Sequence, residues 1–258
     1  MLLVIDIGNT NIVIGIFDGK RLLKNWRIKT DKTGDNDKYR KIFIDLFQCS
    51  NINHNTISGA IISCVVPPVQ QVFCEALKGC LGIKPLIVDP MTKIGVPILY
   101  KNPEEVGADR IVNAVAGFEK YKDALIIVDF GTATTFDYIS PKGEYVGGAI
   151  APGIMLSLDT LSSNASMLPS VKFLKPDKVI GRDTVSSMQS GIFYGYISLV
   201  DGMIERIKKE VEGKPMVIAT GGLASVISSK SRGIDKVEEN LTLEGLRIIY
   251  ERNRDHSN

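Results

Sequence analysis

The feature that most constrains this chain is a short pattern that occurs twice. A run of apolar residues leads to an aspartate, one further residue, a glycine and a polar turn, first at 2–11 (LLVIDIGNTN) and again at 125–135 (LIIVDFGTATT). Four consecutive apolar residues before the acid are typical of a strand buried on both faces. The two aspartates, Asp6 and Asp129, lie 123 positions apart, close to half of the chain. The pattern therefore predicts a duplicated α/β domain.

Hydrophobic periodicity predicts alternating strands and helices in both halves. In the first half, strands are expected at 2–6, 12–17, 21–29, 57–66 and 85–88, and helices at 39–47 and 69–81. From residue 108 onward, helices are expected at 108–121, 154–161, 185–211 and 242–252, and strands at 125–129 and 215–220, with a hairpin that turns at Lys142-Gly143. This order predicts an α/β fold, with an N-terminal domain over 1–117 and a C-terminal domain over 118–258.

Composition and charge argue against several classes of protein. The net charge of +2 is too small to favour a nucleic-acid partner. No apolar run approaches the roughly 18 residues of a membrane span, and Asp6 interrupts the N-terminal run too early for a signal peptide. The four cysteines form no C-x-x-C pair, which favours reduced thiols over a zinc site. A cytoplasmic protein with no membrane or nucleic-acid partner is expected.

Glycine turns follow three of the predicted strands, at Gly8, Gly131 and Gly221. Glycine lets the backbone approach a phosphate and present N–H groups to it, and neither a P-loop motif nor G-x-G-x-x-G is present. The carboxylates of Asp6 and Asp129 suit a Mg²⁺ ion that accompanies a polyphosphate. Alternatively, each aspartate only accepts hydrogen bonds from backbone amides at its turn.

The segment around Asp109 is the best candidate for a catalytic acid–base group. A helix is predicted to begin near Ala108, and its N-terminal end presents amide donors and a positive dipole end to an anion. Phosphoryl transfer commonly uses a carboxylate near the acceptor hydroxyl, and Asp109 is placed for that role. Two alternatives stay open: Asp109 caps the helix, and Arg110 pairs with a nearby acid.

These motifs together resemble the type III pantothenate kinases. The matching segments, which cover nearly the whole chain in order, are DIGNTN at 6–11, GADR at 107–110, DFGTATTFD at 129–137, GGAIAPG at 147–153 and TGG at 220–222. The resemblance implies two duplicated ribonuclease H-like domains of the actin-like ATPase type, as in the acetate kinase/sugar kinase/Hsp70/actin group. It also implies a nucleotide cleft between the two domains.

The resemblance further implies a reaction and its site residues. The reaction is ATP-dependent phosphorylation of pantothenate to 4′-phosphopantothenate, the first step of coenzyme A biosynthesis, with ATP and Mg²⁺ and a required monovalent cation, K⁺ or NH₄⁺. Asp109 would be the general base, and Asp129 would hold the monovalent cation instead of Mg²⁺. The ATP-binding residues would be Asp6, Ile7, Gly8, Asn9, Thr10, Asn11, Ile12, Val13 and Thr132. The pantothenate-binding residues would be Tyr100, Gly107, Ala108, Asp109, Arg110 and Thr184.

The family is dimeric, which fits the 185–211 segment, because that predicted helix is apolar on several faces. A homodimer is therefore expected. Two other functions remain open at this stage. One is a non-catalytic nucleotide-binding regulator or accessory factor of the same fold. The other is a kinase that acts on a different small alcohol, such as a sugar.

Overall fold

The computed structural model describes residues 1–254. The strands are β1 (Leu2–Ile7), β2 (Asn11–Asp18), β3 (Arg21–Lys29), β4 (Gly59–Cys64), β5 (Leu86–Ile87), β6 (Leu125–Phe130), β7 (Ala133–Ile139), β8 (Tyr145–Pro152), β9 (Met216–Gly221) and β10 (Lys236–Val237). The helices are α1 (Asn36–Cys49), α2 (Pro67–Leu81), α3 (Ala108–Tyr121), α4 (Ile154–Asn164), α5 (Thr184–Glu210), α6 (Ala224–Ser228) and α7 (Leu241–Arg254). Short 3₁₀ turns occur at His54–Thr56 and Pro103–Glu105.

The chain forms two compact units with the same sheet topology. The first unit has the strand order β3-β2-β1-β4-β5, and the second has β8-β7-β6-β9-β10. In both sheets the first strand pairs antiparallel with the second and parallel with the fourth. The α/β fold of two duplicated domains, predicted from the repeated pattern, is therefore confirmed.

The division between the units differs from the predicted boundary at 117/118. Unit 1 comprises Met1–Lys120 together with the segment that begins at Asn240, and unit 2 comprises Tyr121–Glu239. The C-terminal helix α7 thus belongs to the N-terminal unit. A local pattern at 242–252 could show that a helix forms there, but it could not show which sheet that helix covers.

Helix α7 belongs to unit 1 because it covers one face of the first sheet. A side chain added at Gly15 would lie 3.0 Å from the Leu243 Cδ1 atom of α7. Helix α7 also packs closely on α3, since a Cβ at Gly245 would lie only 2.2 Å from the Val112 carbonyl oxygen. A larger residue at Gly245 would therefore force α3 and α7 apart.

The opposite face of the first sheet forms the larger core of unit 1. Alternate residues of β1, Leu3, Ile5 and Ile7, point to this face and are fully buried. They pack with aromatic residues of α1 and α2, where the Phe43 and Phe73 rings meet edge to face at 5.5 Å. The other residues of β1, including Asp6, therefore face α7.

The core of unit 2 lies between its sheet and helix α5. Phe193 and Val200 of α5 are fully buried against Ile126 and Val128 of β6. The Tyr196 hydroxyl group of α5 donates a hydrogen bond of 2.8 Å to the Thr134 side-chain oxygen. Helix α5 is thus fixed to β7 directly beside the turn that follows Asp129.

The longer predicted elements are confirmed to within a few residues, whereas α6 and β10 were not predicted. These two elements contain five and two residues, too few to show a periodic apolar pattern. Among the helices within residues 1–254, none combines the length and apolar character needed to cross a membrane.

Candidate active site

Asp6 lies near the end of β1, between Val13 of β2 and Ser63 of β4. The Ser63 hydroxyl group donates a hydrogen bond of 2.6 Å to the Asp6 carboxylate. Burial, the largest cause, and the negative charge of Asp109 together raise the pKa of Asp6 to about 7, although the hydrogen bond from Ser63 and the positive charge of Arg27 act in the opposite direction. Asp6 is therefore poised to release a proton when a cation binds beside it.

The turn after β1 is tightly braced. The Gly8 N–H group donates to the Asn11 carbonyl oxygen at 3.0 Å, and the Thr30 hydroxyl group donates to the Gly8 carbonyl oxygen at 2.7 Å. A Cβ at Gly8 would lie 3.0 Å from the same Asn11 oxygen. Asn9 and Thr10 are exposed at the tip. The turn thus presents polar groups on a fixed backbone, which suits the binding of phosphate oxygens.

Two of the predicted ATP-binding residues cannot use their side chains for that purpose. Ile7 and Ile12 are fully buried in the core of unit 1 and pair with each other across the hairpin. Only their backbone groups are available near the turn. These two isoleucines belong to the motif because they lie in the two strands that flank the turn.

Asp109 lies in the first turn of α3, as predicted. Its carboxylate accepts a hydrogen bond of 2.8 Å from the Arg110 N–H group, so it does satisfy one amide of the helix start. A Cβ at Gly107 would lie 2.6 Å from the same carboxylate oxygen. The missing side chain at Gly107 therefore leaves the space that the Asp109 carboxylate requires.

The electrostatic effect of Asp109 on Asp6 shows that the two acids belong to one region of unit 1. Arg110, next to Asp109, is buried, with a relative exposure of only 7%. Within residues 1–254, no group of three or more His, Cys, Asp or Glu side chains could hold a metal ion. A divalent cation here would need phosphate and water oxygens in addition to the carboxylates, as Mg²⁺ bound with a nucleotide does.

The loop that carries Tyr100 is fastened to helix α7. The Asn253 side chain makes two hydrogen bonds of 3.1 Å with the backbone of Lys93, one in each direction. The Arg252 guanidinium group donates to the Ile94 carbonyl oxygen and, at 2.7 Å, to the Glu119 carboxylate of α3. Helix α7 thus holds both the loop before Gly107 and the helix after it.

In unit 2, Asp129 takes the place that Asp6 takes in unit 1, and Thr220 pairs beside it as Ser63 does beside Asp6. Gly221 has φ of +92°, and a Cβ there would lie 2.6 Å from an Asp129 carboxylate oxygen. The turn at Thr132 is equally crowded, because a Cβ at Gly153 would lie 2.2 Å from the Thr132 carbonyl oxygen. Glycine at both positions is therefore required for the turn to keep its shape.

Thr184 is the first residue of α5, and its neighbour Asp183 is the N-cap. The Asp183 carboxylate accepts the Ser186 N–H group at 2.8 Å, and the Ser186 hydroxyl group accepts the Asp183 N–H group at 3.2 Å. These two reciprocal hydrogen bonds form a capping box at the start of α5. Thr184 is left exposed and is not needed for the cap.

Sequence reasoning missed three residues of these sites: Ser63, Gly153 and Arg27. Ser63 and Thr220 occupy equivalent positions in the repeat. To recognise this equivalence one must know the register of the strands, which the sequence pattern does not supply. Gly153 stands out in the sequence only as the last residue of the glycine-rich segment 147–153. The position of Arg27 near Asp6 depends on the pairing of β3 with β2.

The raised pKa of Asp6 predicts how stability depends on pH. Because the folded state holds this proton more tightly than the unfolded state, its stabilising effect is full below about pH 3.8 and is lost as pH rises through about 7. Relative to Asp6→Asn, the free energy of unfolding of the wild type should fall by about 2–3 kcal/mol between pH 5 and pH 8. Urea unfolding of both proteins at the two pH values measures this difference. Parallel pH profiles for the two proteins would contradict the assignment.

Comparison with known proteins identifies the family. Residues 2–206 match the family model described as type III pantothenate kinase. A type III pantothenate kinase from Geobacter sulfurreducens is 57% identical over 255 residues, which cover 99% of this chain and 100% of the relative. One from Syntrophus aciditrophicus is 55% identical over 253 residues, covering 98% of this chain and 100% of the relative.

A solved structure from Sinorhizobium meliloti, described as a proposed 2-dehydro-3-deoxygalactonokinase, has a similar fold. Its TM-score is 0.61 at 11% sequence identity, with 98% of this chain and 96% of that chain covered. This likeness supports the fold alone, in agreement with the two duplicated sheets. The assignment of a substrate and a reaction depends instead on the sequence matches, which cover 98–99% of this chain. The chain belongs to the type III pantothenate kinase family.

Proposed function

We propose that this protein transfers the γ-phosphoryl group of ATP to the primary hydroxyl group of pantothenate, yielding ADP and 4′-phosphopantothenate for coenzyme A biosynthesis. The observation that carries this proposal is the family membership, which extends over 99% of the chain at 57% identity. The geometry of unit 1 agrees with it, because a braced polar turn and two neighbouring acids lie at one end of the sheet.

In the proposed reaction, Asp109 accepts the proton of the pantothenate hydroxyl group. The hydroxyl oxygen forms a bond to the γ-phosphorus while the bond from that phosphorus to the bridging oxygen breaks, and ADP leaves. Pantothenate is held by Tyr100, Gly107, Ala108, Arg110 and Thr184. Its carboxylate is an anion, and both the Arg110 side chain and the start of a helix are suited to such a group.

ATP is bound in this proposal by the turn after β1, residues 6–13, and by Thr132. Asn9 and Thr10 contribute exposed polar groups, whereas Ile7 and Ile12 contribute backbone groups only. Mg²⁺ accompanies the nucleotide and neutralises part of the phosphate charge. Asp6 provides a carboxylate beside it, and a bound cation favours the ionised form of this group over the protonated form.

Asp129 is proposed to bind the monovalent cation, K⁺ or NH₄⁺. The carboxylate is partly buried at the end of β6, and the glycine at 221 lets the neighbouring backbone approach it closely. A carboxylate in such a position suits a cation, since oxygen atoms are the ligands that hard cations prefer.

A homodimer is proposed for the enzyme, with α5 and the loop before it as the contact surface. Large apolar side chains are exposed along this part of unit 2, namely Met167, Leu174, Val179, Ile180, Val185 and Leu199. A contiguous exposed apolar surface is usually covered in solution. Light scattering that finds a monomer at micromolar concentration would contradict the dimer.

We place the enzyme in the cytoplasm, where its four free thiols would stay reduced.

The test of the function is ADP release by the purified protein with different acceptors, with and without K⁺. We expect release with pantothenate, formation of a phosphorylated pantothenate, and strong dependence on K⁺ or NH₄⁺. Activity with sugars alone would contradict the proposed substrate. Absence of ADP release with every acceptor would favour a non-catalytic nucleotide-binding protein. Full activity without either cation would remove Asp129 from its proposed role.

A further inference from the structure

Strand β3 carries two cationic residues on the face of the sheet that Asp6 shares. Asp6 pairs with Val13 across the hairpin, and Val13 pairs in turn with Arg27 of β3. Residues directly opposite each other in a sheet point to the same face, so Arg27 and Asp6 lie in one row. Lys29 pairs with Asn11 and lies on this face too, one step closer to the turn.

Neighbouring side chains on β3 confirm the orientation. Trp26 and Ile28, which alternate with Arg27, pack against the core on the opposite face. Asn25, two residues before Arg27, donates a hydrogen bond of 2.8 Å to Asn240, immediately before helix α7. Arg27 therefore lies on the α7 side of the sheet, together with Asp6.

Both cations are exposed, and within residues 1–254 neither side chain takes part in a salt bridge or side-chain hydrogen bond. The positive charge of Arg27 nevertheless lowers the pKa of Asp6, which places the guanidinium group within electrostatic reach of the site. The strand thus holds positive charge close to the Gly8 turn without an acid that neutralises it by direct contact.

The duplicated sheet of unit 2 supplies a comparison inside the same molecule. In the row of Asp129, Ile150 of β8 lies where Arg27 lies in unit 1, and Pro152 lies where Lys29 lies. The repeat therefore keeps the acid and the hydroxyl residue beside it, but has cations only in unit 1. Lysine often protects an edge strand from pairing with other chains, yet β8 is the equivalent edge strand and lacks these cations.

We propose that Arg27, with Lys29 in a secondary role, binds the phosphate groups of the nucleotide at the Gly8 turn. This inference rests on the proposed function in that the ligand is ATP. ATP brings about four negative charges towards a region that already contains Asp6 and Asp109, so a cation besides Mg²⁺ reduces the repulsion. An arginine side chain can donate two parallel hydrogen bonds to phosphate oxygens.

The experiment measures nucleotide binding directly by titration calorimetry in the absence of pantothenate. The variants are Arg27→Gln, Arg27→Lys and Lys29→Gln, with Lys24→Gln as the control. Lys24 is an exposed cation on the same strand that points to the other face, opposite Ile16. The ligands are a non-hydrolysable ATP analogue with Mg²⁺, ADP with Mg²⁺, and adenosine.

Arg27→Gln should weaken binding of the ATP analogue about 10- to 100-fold, the scale of a lost charge-assisted hydrogen bond. The loss should be smaller for ADP and absent for adenosine, since adenosine has no phosphate. Arg27→Lys should recover part of the affinity, Lys29→Gln should cause a smaller loss, and Lys24→Gln should bind like the wild type.

Wild-type affinity of Arg27→Gln for the ATP analogue would overturn the inference, as would an equal loss for all three ligands, because that would indicate damage to the fold. Thermal unfolding of each variant provides a separate check that the structure is intact. A different result would contradict the proposed function, namely that the wild type binds nucleotide but does not phosphorylate pantothenate. The two failures are therefore distinguishable.

Discussion

Asp109→Asn should lower the turnover number for pantothenate about 10²- to 10⁴-fold while the fold stays intact, as expected when a general base is removed. Asparagine has the same shape and keeps an oxygen that can accept the Arg110 N–H group, which is 2.8 Å from the carboxylate in the wild type. The helix start should therefore be preserved. What the variant loses is the ability to accept the proton of the attacking hydroxyl group. Steady-state kinetics with pantothenate and ATP measures this effect.

A second consequence tests whether the charge of Asp109 reaches Asp6. The charge of Asp109 contributes to the raised pKa of Asp6, so the pKa of Asp6 should move down in Asp109→Asn. Glu104→Gln is the matched control, because it neutralises an exposed acid in the 3₁₀ turn just before the same helix. The control should retain normal turnover. A purified Asp109→Asn protein that phosphorylates pantothenate at the wild-type rate would refute the assignment.

Gly153→Ala should damage the unit 2 turn although it adds only one methyl group. The added methyl group would lie 2.2 Å from the Thr132 carbonyl oxygen and 2.7 Å from that of Gly131, both of them backbone atoms. One of the two segments must move, at a cost of about 1–3 kcal/mol in the free energy of unfolding. Since the displaced turn follows Asp129 and carries Thr132, we expect activity to fall at least about tenfold, beyond any loss of folded protein.

The measurements are urea unfolding and the dependence of turnover on ATP and K⁺. Gly79→Ala is a suitable control, because it adds the same methyl group inside helix α2, where its nearest neighbour is the flexible Arg40 side chain at 3.3 Å. That change should be neutral or stabilising by up to about 1 kcal/mol, since alanine favours a helix over glycine. If Gly153→Ala unfolds at the wild-type urea concentration and keeps full activity, the turn is not as closely packed as the structure indicates.

The duplication could be predicted because its signal is local. An apolar run that ends at Asp6 and recurs before Asp129 specifies two buried strands and two turns within about ten residues each. Helices such as α3 carry their period in their own sequence, and its predicted limits of 108–121 agree with the structure. The family followed from motifs of the same kind, which lie at the turns.

Contacts between distant segments could not be predicted in this way. The assignment of α7 to unit 1 depends on Leu243 meeting Gly15, more than 200 positions away in the chain. The environment of Asp6 depends on Ser63, Arg27 and Asp109, which reach it from three other elements. The sequence pattern of each segment contains no information about its contacts with the other segments.

The sequence by itself therefore determined the class of fold, the two acid–glycine turns and the family, since each depends on residues close together along the chain. The tertiary structure alone decided which helix belongs to which unit and that Asp109 acts on the pKa of Asp6. It also decided that Arg27 lies on the face of Asp6, because only strand register brings residues 6, 13 and 27 into one row. The physical reason is that hydrophobic periodicity is a property of one element, whereas a site is formed where several elements pack together.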